Sequence, residues 1–419
     1  MTALRLVHVS AAFVAAVCVT VTLAAGLVEP GVALAFAALT AVGELALPRA
    51  PEAARATGTG APVGQPAPLG AAGALAYALL GEVAGRPAVH GAAQVVTVVL
   101  AACLLGSVPH IWSGRTTTAD HLARRVLTVA FAAVCFQPLY GNGLFEAWSG
   151  PAYVLLLVAL LVLTALCDTV LAAALAHSRT RWPFGPLLRD ELRGLLGIGS
   201  AVCATGAVMA LAVAVVGLWA LPVFSLPLLL TQLALRRYAA VRATYRQTIA
   251  SLARATEIAG CTPVGHARRV AALSEAVGRD LGLSGSELTV LEYAALMHDI
   301  GQLSLVDPVP AGATGTLPLQ EQRRIALLGG AVVRQTGVDA AVAVVVERQA
   351  DPYREQPLAA RIVRAVNAYE EKAHEPGAGG ALRALEELRL GTAGEYAPEV
   401  VESLARVLSR DCLTLPVAG

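Results

Sequence analysis

The sequence predicts an all-α protein: a polytopic transmembrane helix bundle followed by a cytoplasmic all-helical domain. Three observations carry this. The 419-residue chain is 56% hydrophobic and only 15% charged, with a mean hydropathy of +0.64, which is too apolar for an ordinary soluble protein. Long apolar runs fill residues 1–235 and then stop. Beyond residue 236 charges return, and apolar positions recur at helical spacing. The net charge of +1 gives no global pull toward nucleic acid, which is not expected as a partner. The seven cysteines show no CxxC or zinc-like spacing, and no disulfide is expected in a reducing cytoplasm.

The first run, Leu6 to Leu27, is read as a span and not as a cleaved signal, because further runs follow at once. Gly31 to Leu47 is the second. Arg49 to Pro68, rich in Ala, Gly and Pro, is a flexible loop. Leu69 to Ala84 and Gly91 to Val108 are spans three and four. Val126 to Tyr140 is the fifth, and Pro151 to His177 the sixth. Gly194 to Leu235 suits a hairpin of two spans turning near Gly217 to Pro222. The total is about eight helices, each near the roughly 20 residues needed to cross a bilayer. Arg49 and Arg55, then Arg115, Arg124 and Arg125, then Arg179 to Arg193, then Arg236 and Arg237 occupy alternate loops. That alternation sets a multi-pass chain in the plasma membrane with both termini cytoplasmic. Trp112, Trp148, Trp182 and Trp219 fall at span ends, as an interfacial belt requires. Glu44, Glu82 and Asp168 lie in or beside spans; Asp168 is the membrane-embedded acid most suited to a ligand or proton role.

Residues 236–257 form a connecting helix. Tyr238, Val241, Tyr245, Ile249 and Leu252 recur at spacings of three and four, a stripe suited to a homodimeric coiled coil. The soluble domain follows at 258–410, with a tail at 411–419. Within it, Thr262 and Pro263 suit the start of a helix that carries His266. Ser284 and Glu287 have capping-box spacing before the run Leu288 to Met297. That run ends in His298-Asp299, and Gly301 stops it. Adjacent His and Asp offer a nitrogen and an oxygen to one metal ion. Two antiparallel helices joined by a short turn would bring His266 to the pair. Further helices are expected at Leu319 to Gln335, Asp339 to Gln349, Pro357 to Lys372, Gly380 to Leu390 and Pro398 to Ser409.

The string Gly265-His-Ala-Arg-Arg-Val270, with Leu281-Gly-Leu-Ser284 and Ala294-Ala-Leu-Met-His298-Asp-Ile-Gly-Gln-Leu303, resembles the HD superfamily of metal-dependent phosphohydrolases. It is most similar to the HD-GYP branch, which includes cyclic-di-GMP phosphodiesterases. Leu317, Glu321 and Gly330, then Val345-Val-Glu-Arg348, Ala360 to Glu370 and Tyr396-Ala-Pro-Glu399 follow in family order. The resemblance implies a divalent metal (Mn, Fe, Mg or Zn) held by His266, His298, Asp299 and Asn367, with His298 and Asp299 catalytic. It further implies a nucleotide or cyclic-dinucleotide ligand, with Arg269, Arg348 and Arg364 as phosphate contacts. Departures limit the carry-over. The fourth ligand is an amide, Asn367. Val345 and Val346 stand where the family completes further metal sites. Gln302 replaces a lysine, and Asp351-Pro-Tyr-Arg354 replaces the Gly-Tyr-Pro signature. A one-ion site with reduced activity is therefore expected. The alternative is an inactive HD-fold signalling or binding module coupled to a membrane sensor. A transporter ranks lower, since the spans show no paired broken helices.

Overall fold

The computed structural model describes residues 2–46, 67–112, 118–141, 143, 151–180, 182–306, 309, 314, 317–374 and 380–412. The loop expected over 49–68 and most of the tail fall outside these residues, as do Trp148 and the side chain of Trp112. The described chain is helical apart from a hairpin of two short strands, Glu82–Val83 and Arg86–Pro87. It divides into two compact units, Met1–Ala240 and Val241–Gly419.

The first unit contains α1 (Thr2–Ala25), α2 (Pro30–Leu45), α3 (Pro68–Ala78), α4 (Ala92–Trp112), α5 (Thr118–Gly141) and α6 (Pro151–Thr180). It continues with α7 (Phe184–Gly194), a π turn at Leu195–Gly199, α8 (Ser200–Val216) and the start of α9 (Ala220–Ile258). Among the described residues, five helical segments are long and apolar enough to cross a membrane, the last being the composite run Phe184–Ile258. Leu6, Phe13, Leu155 and Val215 are more than half exposed on such helices, a surface suited to lipid and not to water. The expected turn between the last two spans is present: Gly217 adopts φ 72°, and α9 begins three residues on.

The expected third span is a correction. Its apolar run continues past Leu80, but the helix stops at Ala78 after 11 residues. At about 1.5 Å per residue this is too short to cross about 30 Å of hydrocarbon. Two contacts end it: the Gln137 amide caps the Ala78 and Leu80 carbonyls, each at 3.1 Å, and Gly81 packs on the Tyr140 ring. All of α3 but Ala71 is buried. It runs antiparallel to α2, with Gly43 backed onto the Gly70 backbone and Phe36 stacked on Tyr77 at 5.0 Å. On another side, a Cβ added at Gly206 of α8 would lie 3.1 Å from the Ala72 carbonyl oxygen.

The three acids singled out in this unit each have a partner. Glu44, 1% exposed, meets His121 Nε2 at 2.7 Å and Arg125 at 3.2 Å. Asp168 receives Arg124 Nε at 2.7 Å and the Thr128 hydroxyl at 3.0 Å. Glu82 accepts from the Tyr140 hydroxyl at 2.8 Å. Asp168 is thus one partner of an ion pair.

The second unit holds α10 (His266–Asp280), α11 (Gly285–Met297), a 3-10 turn at Ile300–Ser304, α12 (Leu319–Gln335) and α13 (Ala340–Arg348). It closes with α14 (Leu358–Ala373), α15 (Gly380–Leu390) and α16 (Pro398–Cys412). Their apolar faces meet in one core that includes Val270, Leu291, Met297, Val342, Ile362, Val366 and Leu404. The connecting-helix stripe splits between two uses. Ile249 lies in this core and Leu252 packs on it, while Tyr238, Val241 and Tyr245 stay exposed. A seam of three full heptads is therefore not available to a partner helix. The capping box at Ser284 and Glu287 forms as expected. Thr262 does not cap: its hydroxyl pairs with that of Thr256 at 3.0 Å, and α10 starts after Gly265 at φ 78°.

Candidate metal centre

Three helices of the second unit each deliver part of one cluster. The start of α10 supplies His266, the residues after α11 supply His298 and Asp299, and the middle of α14 supplies Asn367. The helix carrying the pair ends at Met297, and the chain tightens into the 3-10 turn. Gly301 is needed here for a different reason from the one its sequence position suggests. A Cβ at this residue would run into the Ile325 carbonyl of α12, so the glycine lets the turn lie against that helix. The Gln349 amide then ties the His298 carbonyl at 2.8 Å.

Four donor atoms converge. His266 Nε2 and His298 Nε2 lie 2.9 and 3.1 Å from Asn367 Oδ1. They lie 3.5 and 3.0 Å from Asp299 Oδ2. Ions of zinc or magnesium size, with bonds of about 2.0–2.1 Å, set neighbouring ligands about 3.0–3.4 Å apart. The residues present therefore fit one such ion. Asp299 Oδ2 is buried 3.0 Å from His298 Nε2 and turned toward the cluster, where it could serve as a ligand. Among the described residues, His266, His298 and Asp299 are the group of His, Cys, Asp and Glu able to hold a metal ion together, and all three are buried.

His298 is pre-set for this task. Its Nδ1 pairs with the Ala295 carbonyl at 2.8 Å, which directs Nε2 at the cluster. Burial works against charge on both rings. At His298 the Asp299 carboxylate and the Ala295 carbonyl outweigh burial and push it up to about 9. At His266 burial and the neighbouring His298 prevail and hold it below the ordinary range. Burial also resists charge on Asp299, but His298 beside it keeps the carboxyl below the usual range.

The other expected site residues separate. Val345 and Val346 are 4% and 1% exposed in the core, Val346 against Gly329, so no donors for a second ion stand there. Gln302 is 1% exposed beside Asp299, and neither atom of its amide makes a regular hydrogen bond. The three arginines expected to meet phosphate are engaged within the fold. Arg269 bonds Glu370 and the Val264 carbonyl. Arg348 bonds Asp351 and the Glu355 carbonyl, and Arg364 bonds the Gln349 and Asp351 carbonyls. Some of these partners are near in the chain, as Asp351 is to Arg348, and others distant, as Glu370 is to Arg269. Sequence reading missed Glu371, which accepts a hydrogen bond from Asn367 Nδ2 at 2.9 Å. An acid four residues after the expected ligand was the available signal.

A family model of the HD domain matches residues 264–371, which contain all four donors. No curated protein and no solved structure matches the chain.

Proposed function

We propose that this chain is a membrane-anchored phosphohydrolase of the HD-GYP kind, working with one divalent ion on a nucleotide or cyclic dinucleotide at reduced activity. The observation that carries the reading is the convergence of His266, His298, Asp299 and Asn367 at ligand-to-ligand spacing. The apolar helices support an anchor in the plasma membrane, and the arginine pattern supports cytoplasmic termini.

A bound divalent ion supplies a nucleophilic water and neutralises charge on a phosphate. The chain's own residues set the conditions for that. His298 is locked by the Ala295 carbonyl, so its Nε2 cannot swing away. Asp299 brings the single negative charge among the four donors. The buried Gln302 amide, beside Asp299, has hydrogen-bonding capacity left for a water or a phosphate oxygen. A single ion cannot clamp attacking and leaving oxygens as a pair does, which is why reduced turnover is expected.

A second reading, an inactive HD-fold binding module, is favoured by Val345 and Val346 in the core and by the uncharged Asn367. One experiment addresses both. The full chain in detergent, stripped with chelator and titrated with Zn2+ or Mn2+, takes up one ion per chain, and H298A and D299A abolish uptake. It then hydrolyses a cyclic dinucleotide slowly. Failure to take up an ion, together with inert substrate, overturns the proposal. Uptake of ion and nucleotide without product selects the second reading.

A further inference from the structure

Asn367 brings an oxygen to the cluster but no charge, and an amide can equally present its NH2 group. The structure fixes which end faces inward. Nδ2 donates to Glu371 Oε1 at 2.9 Å, one turn on along α14, and this leaves Oδ1 between the two imidazoles at 2.9 and 3.1 Å. A carboxylate bonded to the NH2 group draws positive character there and enriches the amide oxygen, making it a better donor to a cation. Glu371 also lies within electrostatic reach of His298. With Asp299 the one charged donor, the cluster has a single negative charge against a divalent ion; Glu371 brings the total to two.

We infer that Glu371 is a positioning residue: it holds the Asn367 oxygen toward the ion and restores, through the amide, the negative charge that Asn367 lacks. The inference rests on the one-ion reading above. The competing explanation is an ordinary helix-surface pair four residues apart, which stabilises a helix slightly and does nothing for a ligand.

The two explanations differ in sign once residue 367 is changed. In the wild-type chain E371Q removes the charge and weakens the hold on the amide, so affinity for Zn2+ falls about 10- to 100-fold. In an N367D background the ligand carries its own charge, and Glu371 faces it as a second carboxylate. There E371Q removes a repulsion and its amide donates to the new carboxylate, so affinity rises. The test is calorimetric titration of the full chain in detergent with Zn2+, for wild type, E371Q, N367D and the double variant, with helical content checked by circular dichroism. Opposite signs in the two backgrounds support the assignment. An unchanged affinity in E371Q, or a loss of equal size in both backgrounds, overturns it while the one-ion reading stands. A wild-type chain that takes up no Zn2+ overturns the reading and the inference together.

Discussion

Each unit of the molecule buries a carboxylate beside histidine, and the two clusters are built on opposite principles. In the first unit Glu44 is met by His121 and by the cation of Arg125, so charge is matched by charge. In the second unit both imidazole Nε2 atoms, Asp299 Oδ2 and the Asn367 oxygen converge, and the cluster contains no arginine or lysine to match the carboxylate. A closed ion pair holds helices together. Convergent imidazole nitrogens and oxygens are joined either by protons on the rings or by a cation that takes their place. Burial alone does not separate a structural acid from a ligand; the count of donors and acceptors around it does.

The largest effect expected from this contrast is at Glu44. E44A strands Arg125 and His121 and is expected to cost about 3 kcal/mol or more of stability, measured as denaturant unfolding of the full chain in detergent. A neutral result would make the two clusters alike. Next comes the ion itself. At a hundredfold excess over its Kd, an ion that binds only the folded state adds about 2.7 kcal/mol. D299A is expected to erase that gain, so that its thermal melt no longer moves when the ion is added, whatever it loses in ion-free stability through its buried contact with His298. A D299A chain that still melts higher with the ion would remove Asp299 from the ligand set.

The smallest effect concerns a third carboxylate, Asp280, which resembles Glu44 in being closed. Burial raises its pKa, but the Arg406 and Ser403 hydrogen bonds, with Arg410 nearby, outweigh this and hold it below the usual range. A depressed folded pKa gives stability that is present above the unfolded value near 4 and lost as pH falls through the folded value. Because both arginines are about half exposed, the contribution is about 1 kcal/mol. D280N should therefore cost that amount at pH 7 and almost nothing near pH 2, read from unfolding curves of the full chain.

What sequence reading reached follows the same division. His298 and Asp299 are adjacent, and the capping box at Ser284 is local, so both were visible in a short window. His266 was reached from the spacing of two helices joined by a short turn, whereas Asn367 entered only through a resemblance, since a contact across 101 residues leaves no local trace. The pairing of Glu44 with His121 and Arg125 was invisible for the same reason: it depends on how α2 and α5 register in the bundle. The end of α3 was misplaced because hydropathy reports burial and not helix length. Leu79 and Leu80 stay apolar and buried while Gln137 takes over the Ala78 and Leu80 carbonyls and Tyr140 packs on Gly81.

The short α3 has a consequence for how the protein is made. Eleven residues with three glycine and proline positions are a poor substrate for insertion on their own, and all but one of them are buried by neighbours. One of those neighbours, α8, leaves the ribosome more than 120 residues later and seats its Gly206 on the Ala72 carbonyl. During synthesis the nascent bundle thus carries an unclosed wall facing lipid or insertion machinery. Final consolidation of the membrane unit must wait for its penultimate helix to emerge.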